Sequence, residues 1–197
     1  MYDSKHNDIP YSLCEEITCR KDLYKMNEFK EITAAQLEGN PFQMIGKEWM
    51  LVTAEKEGTV NTMTASWGGL GIMWGKNVAF VTIRPQRYTK EFVDFSDTFS
   101  LSFYDESYRK TLAYLGRVSG RDENKIEKSE LTLAYDIGTP YFEEANTVLI
   151  CKKLFAQPYS EESFIDKSIM PDVYPDKDFH TLYVADIIKV LVKESQS

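Results

Sequence analysis

An antiparallel β barrel, closed or nearly so, with about six strands and short helices on its connections, is the fold this chain predicts. Three observations carry the prediction. At 197 residues, 43% hydrophobic and 13% aromatic, the chain can fill one core and is too short for two. Six stretches, at 49–54, 61–66, 77–84, 98–104, 146–157 and 180–192, show strand alternation or short apolar runs. Between them the helical patterns are short and bounded by caps and stops.

Residues 1–26 carry many charges and no sustained periodicity, so they predict a flexible N-terminal extension ahead of a domain over residues 27–197. Met26 is then a candidate natural start, to be checked by intact mass of natively expressed protein. Thr33-Ala-Ala-Gln36 fits a capping box, and Gly39 with Asn40-Pro41 stops a short helix. Trp49–Ala54 reads as an apolar strand and 55–59 as the turn to its antiparallel partner, Asn61–Ser66. In that partner Met63 and Ala65 share one face, while Thr62, Thr64 and Ser66 place a row of hydroxyls on the other.

Gly68-Gly-Leu-Gly71 reads as a tight turn between Trp67 and Trp74. It is not a dinucleotide loop, because Trp74 stands where the third glycine is needed and a strand follows instead of a helix. The strand 77–84 ends at Pro85. Tyr88, Phe92, Val93 and Phe95 then fall at helical spacing. After the strand 98–104, Asp105 or Ser107 caps a helix that ends at Gly116. Ser119-Gly-Arg-Asp122 and a short charged helix bearing Lys125 follow. Beyond the strand 146–157, residues 158–178 form a long excursion suited to covering a site.

A formal net charge of -8 disfavours nucleic acid and anionic membrane as partners. No apolar run has the length of a membrane span, and the N-terminus has no signal core, which predicts a cytoplasmic protein. Cys14, Cys19 and Cys151 give no disulfide framework, and two histidines with scattered cysteines predict no metal site.

The chemistry concentrates between Asn61 and Thr89. Asn61-Thr62-Met63-Thr64-Ala65-Ser66-Trp67 offers short hydroxyl and amide groups that can bond a polar heterocycle while leaving room for its ring. Arg84-Pro85-Gln86-Arg87-Tyr88-Thr89 places two guanidinium groups and a hydroxyl at a strand end and a helix start, where they can meet a phosphate. A flat, phosphorylated, aromatic cofactor fits both. The same residues also read as a solvated strand face and a surface arginine pair bonded to nearby acids. His180, at the start of the last strand, is either structural or the one candidate catalytic residue, facing the cofactor ring or the ring of an electron donor.

These segments, with Trp49-Met-Leu-Val-Thr53, Ser119-Gly-Arg-Asp122 plus Lys125, Glu144-Ala145 and Phe179-His180, resemble the flavin reductase-like family, the flavoredoxin-type FMN-binding split barrels, over about 29–194. The resemblance implies a six-stranded Greek-key barrel that forms a homodimer with FMN near the subunit boundary. It puts the isoalloxazine along Met63 to Trp67 and the phosphate against Arg84, Arg87 and Thr89, and it draws Gln86, Tyr88, Ser119, Gly120 and Lys125 into the cofactor set. Where the family's closing strand often reads Gly-Glu, this chain has Ala185-Asp186.

The function expected from the resemblance is an oxidoreductase in which NADH or NADPH passes hydride to FMN and electrons go on to another acceptor. Since the flavin carries such chemistry, the sequence needs no nucleophile triad or paired carboxylates. A flavoprotein reduced by a redox partner protein and a non-catalytic FMN-binding module are the alternatives.

Overall fold

The computed structural model describes residues 29–194. The N-terminal extension, with His6, Cys14, Cys19 and Met26, lies outside the described residues. Eight strands form one antiparallel sheet: β1 (Phe29–Ile32), β2 (Met50–Lys56), β3 (Thr59–Ala65), β4 (Gly68–Met73), β5 (Lys76–Ile83), β6 (Thr98–Phe103), β9 (Thr147–Pro158) and β10 (Thr181–Lys193). Two more, β7 (Leu133–Asp136) and β8 (Thr139–Phe142), make a separate hairpin. The mainly β, antiparallel class is as expected. The six expected strands are β2, β3, β5, β6, β9 and β10.

The sheet runs β3-β2-β6-β9-β10-β5-β4, with β1 added along the far half of β10. Strand β9 pairs with β6 and β10, and β10 is long enough to pair with three strands. The start of β10 pairs with β5 and its end with β1, while β9 runs beside it throughout. Alternate residues of the six strands meet in one cluster, among them Val52, Met63, Val81, Leu101, Leu149 and Tyr183, which is the barrel interior. A second cluster lies on the outer side, where Leu51, Val148 and Ile150 pack beneath Leu112 and Leu115 of the Arg109–Arg117 helix and Phe142 of β8. The period-2 pattern therefore feeds two apolar layers and not one.

Three local expectations change. Gly68–Met73 is a strand, paired with β5 from Gly68↔Val81 to Met73↔Lys76. The turn is instead Trp74-Gly75, both at positive φ (53° and 71°), the backbone a two-residue hairpin requires. Gly68 serves close approach: a Cβ there would lie 2.2 Å from the Phe80 carbonyl oxygen. Secondly, Asn40-Pro41 starts a helix as well as ending one. Asn40 Oδ1 accepts from Phe42 N at 2.9 Å, and a helical turn at Pro41–Gln43 runs into a π-helical turn at Met44–Glu48. Thirdly, β1 and the β7–β8 hairpin are additional strands. The expected capping box is present, with Thr33 N donating to Gln36 Oε1 at 3.0 Å.

The Tyr88–Phe95 helix covers one end of the barrel, burying Phe92 and Val93. The helix Arg109–Arg117 flanks β3, and the helix Lys125–Ser129 packs beside that helix. The excursion contains a 3-10 turn at Glu161–Ser163 and a helix at Ile169–Val173. No helix among the described residues is long and apolar enough to cross a membrane. Cys151 is fully buried, and burial pushes its thiol well above the ordinary range, which makes it core filling.

Candidate cofactor site

Two recesses adjoin where β3 and β5 end and the Tyr88–Phe95 helix starts; both are walled by Met63, Arg84 and Arg87. One, of about 180 Å³, is completed by Thr64, Ala65, Ser66, Trp67, Thr82 and His180. The other, of about 350 Å³, is completed by Gln86, Tyr88, Thr89, Arg117, Val118, Ser119, Gly120 and Lys125. Every site residue expected from the sequence lines one of them except Asn61 and Thr62. A larger recess of about 610 Å³ around Tyr104 and Arg109 holds both signs of charge and none of those residues.

Asn61 and Thr62 stand behind the site. Asn61 Nδ2 donates to Thr89 Oγ1 at 3.1 Å, and its Oδ1 lies so close to Gly120 that a Cβ there would come within 2.4 Å. Thr62 is fully buried; its hydroxyl donates to the Val52 carbonyl at 3.2 Å and shares a 2.8 Å bond with Thr53 Oγ1. Thr64 Oγ1 donates to the Leu112 carbonyl at 2.5 Å. Thr62 and Thr64 share one face as expected, but neither hydroxyl is free. The face of β3 opposite Met63 and Ala65 is roofed by the Arg109–Arg117 helix, so Thr62 and Thr64 direct their hydroxyls to protein acceptors.

The larger recess is cationic. Arg87 Nη1 donates to the Gly116 carbonyl at 2.6 Å, and Lys125 Nζ donates to the Leu115 and Val118 carbonyls at 2.9 Å each. Both cations therefore satisfy the C-terminal carbonyls of the Arg109–Arg117 helix, the end its dipole makes negative. Lys125 is only 3% exposed, and burial followed by the Arg87 charge pushes its pKa down to about 8. Burial, then Arg84, also lowers the pKa of Arg87. Arg84 and Arg117 bring the cations on its wall to four, and no carboxylate lines this recess. At its edge Arg87 N-caps the Tyr88–Phe95 helix, and no side chain accepts from the cap amides. Ser119 Oγ accepts from Arg121 N at 3.2 Å, and the Arg121 guanidinium stacks 4.4 Å over Tyr88.

Arg84 behaves differently from Arg87. It forms an ion pair with Asp178 of the excursion, donates to the Val173 carbonyl at 2.9 Å and lies 5.2 Å over the Tyr174 ring. Gln86 Nε2 reaches the same Asp178 carboxylate at 2.8 Å. These two donors hold the Asp178 carboxyl below its ordinary range.

Apart from Arg84 and Arg87, the smaller recess is walled by aromatic, apolar and weakly polar groups. Trp67 lies 4.9 Å from the His180 ring at a 33° tilt, and His180 Nδ1 is 2.8 Å from the Tyr174 hydroxyl. Burial, with Arg84 next in weight, pushes the His180 pKa down to about 4, so the imidazole is neutral at pH 7. It can accept or donate a hydrogen bond there, but it carries no charge.

Thr82 and Arg117 belong to these walls although the sequence did not single them out. Thr82 had a signal, because it shares the strand face of Arg84 two residues on. Arg117 had only its place in a helix's last turn.

Comparison with known proteins agrees with this architecture. Three solved structures superpose on most of the chain. An FMN-binding domain of a flavin reductases-like enzyme from Shewanella baltica OS155 has a TM-score of 0.63 and 18% identity, over 85% of this chain and 78% of that one. A flavoredoxin from Methanosarcina acetivorans gives 0.60 and 20%, over 84% and 77%. The styrene monooxygenase flavin reductase from Pseudomonas putida S12 gives 0.55 and 18%, over 75% and 80%. At such identities the likeness is one of fold, the split barrel. No curated protein sequence matches. Residues 43–197 match the family described as "Flavin reductase like domain", most of the barrel and all of both recesses, and the chain belongs to that family.

Proposed function

We propose that this chain binds FMN, with the phosphate in the larger recess and the ring in the smaller, and acts as an oxidoreductase that accepts hydride from NADH or NADPH. The observation that carries the reading is the larger recess: Arg87, Arg117 and Lys125 converge without a carboxylate in a chain of net charge -8. Two of these cations are partly or wholly buried and repel each other, so a phosphate there would relieve a standing electrostatic cost. The recess beside it, with Trp67 and the neutral His180 on its wall, suits a planar heterocycle.

When bound, the flavin would supply the hydride and electron chemistry. The protein's part is binding and orientation. Arg87, Arg117, Lys125, Thr89 and Ser119 hold the phosphate; Met63 to Trp67 form the bed of the ring. His180, neutral and fixed by Tyr174, borders the ring without adding charge, and Asp178 holds Arg84 and Gln86 at the rim. His180 is a contact group in this reading and not a proton donor at pH 7.

A second reading has an observation of its own. The ring recess is small, Arg84 and Asp178 tie the excursion at its rim, and Trp67 is 46% exposed. That arrangement favours electron exchange with a protein partner at the Trp67 edge over entry of a nicotinamide. The proposal also includes a homodimer: Ile72, Trp74, Leu154 and Phe155 are exposed, and the Trp74 and Phe155 rings lie 6.2 Å apart, forming an apolar surface. Light scattering on the eluted protein checks it, with a monomer mass counting against it.

The deciding experiment is an FMN titration followed by anaerobic mixing with NADH and with NADPH. Bleaching of the bound flavin within seconds supports the reductase. A bound flavin that stays oxidised favours a protein donor, and failure to bind at micromolar FMN removes the cofactor reading.

A further inference from the structure

Among the described residues, the Thr82 hydroxyl is buried without a hydrogen-bond partner and lines the ring recess. Its neighbours Val81 and Ile83 point into the barrel and are fully buried, while Thr82 lies on the opposite face with Arg84. Of the other polar walls, Ser66 is half-buried and its hydroxyl is not among the buried unpartnered ones, and four more groups are already engaged. Arg84 is bonded to Asp178 and Val173, Arg87 to Gly116, Thr64 to Leu112 and His180 Nδ1 to Tyr174.

A buried hydroxyl without a partner opposes folding, and a ligand that completes its bond recovers that loss on binding. We propose that the Thr82 hydroxyl hydrogen-bonds the polar edge of the flavin ring and so helps select an oxygen- and nitrogen-bearing heterocycle over a purely apolar one. This rests on the FMN reading above and adds a residue to it. A hydroxyl both donates and accepts, whereas the isoalloxazine presents carbonyl acceptors and a ring N–H along one edge. The contact is to the ring and not to the phosphate, because Thr82 borders the smaller recess and is absent from the cationic one.

Flavins with and without the phosphate separate the two ends. Wild type, Thr82→Val and Thr82→Ser are titrated with FMN and with riboflavin, and the unloaded proteins are melted. Thr82→Val is expected to weaken both ligands by the same factor, about tenfold for one lost hydrogen bond. Thr82→Ser keeps the hydroxyl and is expected to restore most of the affinity. Unloaded Thr82→Val is expected to melt at or above the wild-type temperature, because no bond within the protein is lost. A variant that loses FMN but not riboflavin, or that binds both as wild type does, overturns the assignment while leaving the cofactor reading intact. A lower melting temperature in unloaded Thr82→Val overturns it too, since the hydroxyl would then serve the fold. Wild-type protein that binds neither flavin overturns the cofactor reading and Thr82 with it.

Discussion

Arg84 and Arg87 stand three residues apart on one corner and wall the same two recesses, yet the fold gives them opposite partners. Arg84 is neutralised by Asp178 and braced against Tyr174, whereas Arg87 donates to a helix-end carbonyl and faces Lys125 and Arg117 with no acid between them. The first fastens the excursion to the barrel, and the second leaves positive charge unspent for a ligand. Sequence spacing makes the pair look equivalent. What separates them is which chain segment arrives opposite each.

The comparison breaks most readily at Arg87. Arg87→Ala is expected to weaken FMN by about one to two decades, roughly 1.5–3 kcal/mol, and to leave riboflavin affinity unchanged. Equal losses for both ligands would mean that the cation serves the ring end or the fold.

Acid tests the other end. The neutral, buried His180 has a folded pKa of about 4 against an ordinary 6.5. The unfolded chain therefore binds more protons between those values, and the His180 contribution to stability is complete above pH 6.5 and lost as pH falls toward 4. Its full size is on the order of 3 kcal/mol. Urea unfolding across pH 4–7 should show stability falling with acid, less steeply in His180→Asn; identical slopes would remove this account.

Alkali sharpens the cationic end. Lys125, with a pKa near 8 in the unloaded protein, loses its proton as pH rises. FMN affinity should fall above pH 8 by at most about tenfold per pH unit, while the unloaded fold gains stability because the buried charge is gone. Lys125→Met should flatten the affinity profile. The smallest effect is expected from Asp178→Asn. The ion pair is partly solvated, so the melting temperature should scarcely move, while loosening of the excursion should speed reduction by NADH if the nicotinamide enters there. An unchanged rate would favour the protein-donor reading.

The strands with sustained alternation, β2, β3, β5, β6, β9 and β10, were legible because each buries at least one face and the period-2 pattern records it. Strand β1 was not. Phe29–Ile32 has no pattern of its own and is strand only because the extended end of β10 is there to pair with. Gly68-Gly-Leu-Gly71 reads as a turn since glycine usually marks one; its glycines instead admit the Phe80 carbonyl and ring, which reach them only across the hairpin.

By itself the sequence determined an antiparallel barrel, one dominant chemical stretch from Asn61 to Thr89, and the residue types that a phosphate and a flat ring require. Periodicity and local spacing are properties of short segments, and they carry that much. Only the tertiary structure decided that Thr62 and Thr64 are covered, that Thr82 and Arg117 join the recesses, and that Asp178 takes Arg84 but leaves Arg87. Those outcomes depend on which surfaces the Arg109–Arg117 helix and the excursion come to rest against, and burial and pairing across such distances are set by packing of the whole chain.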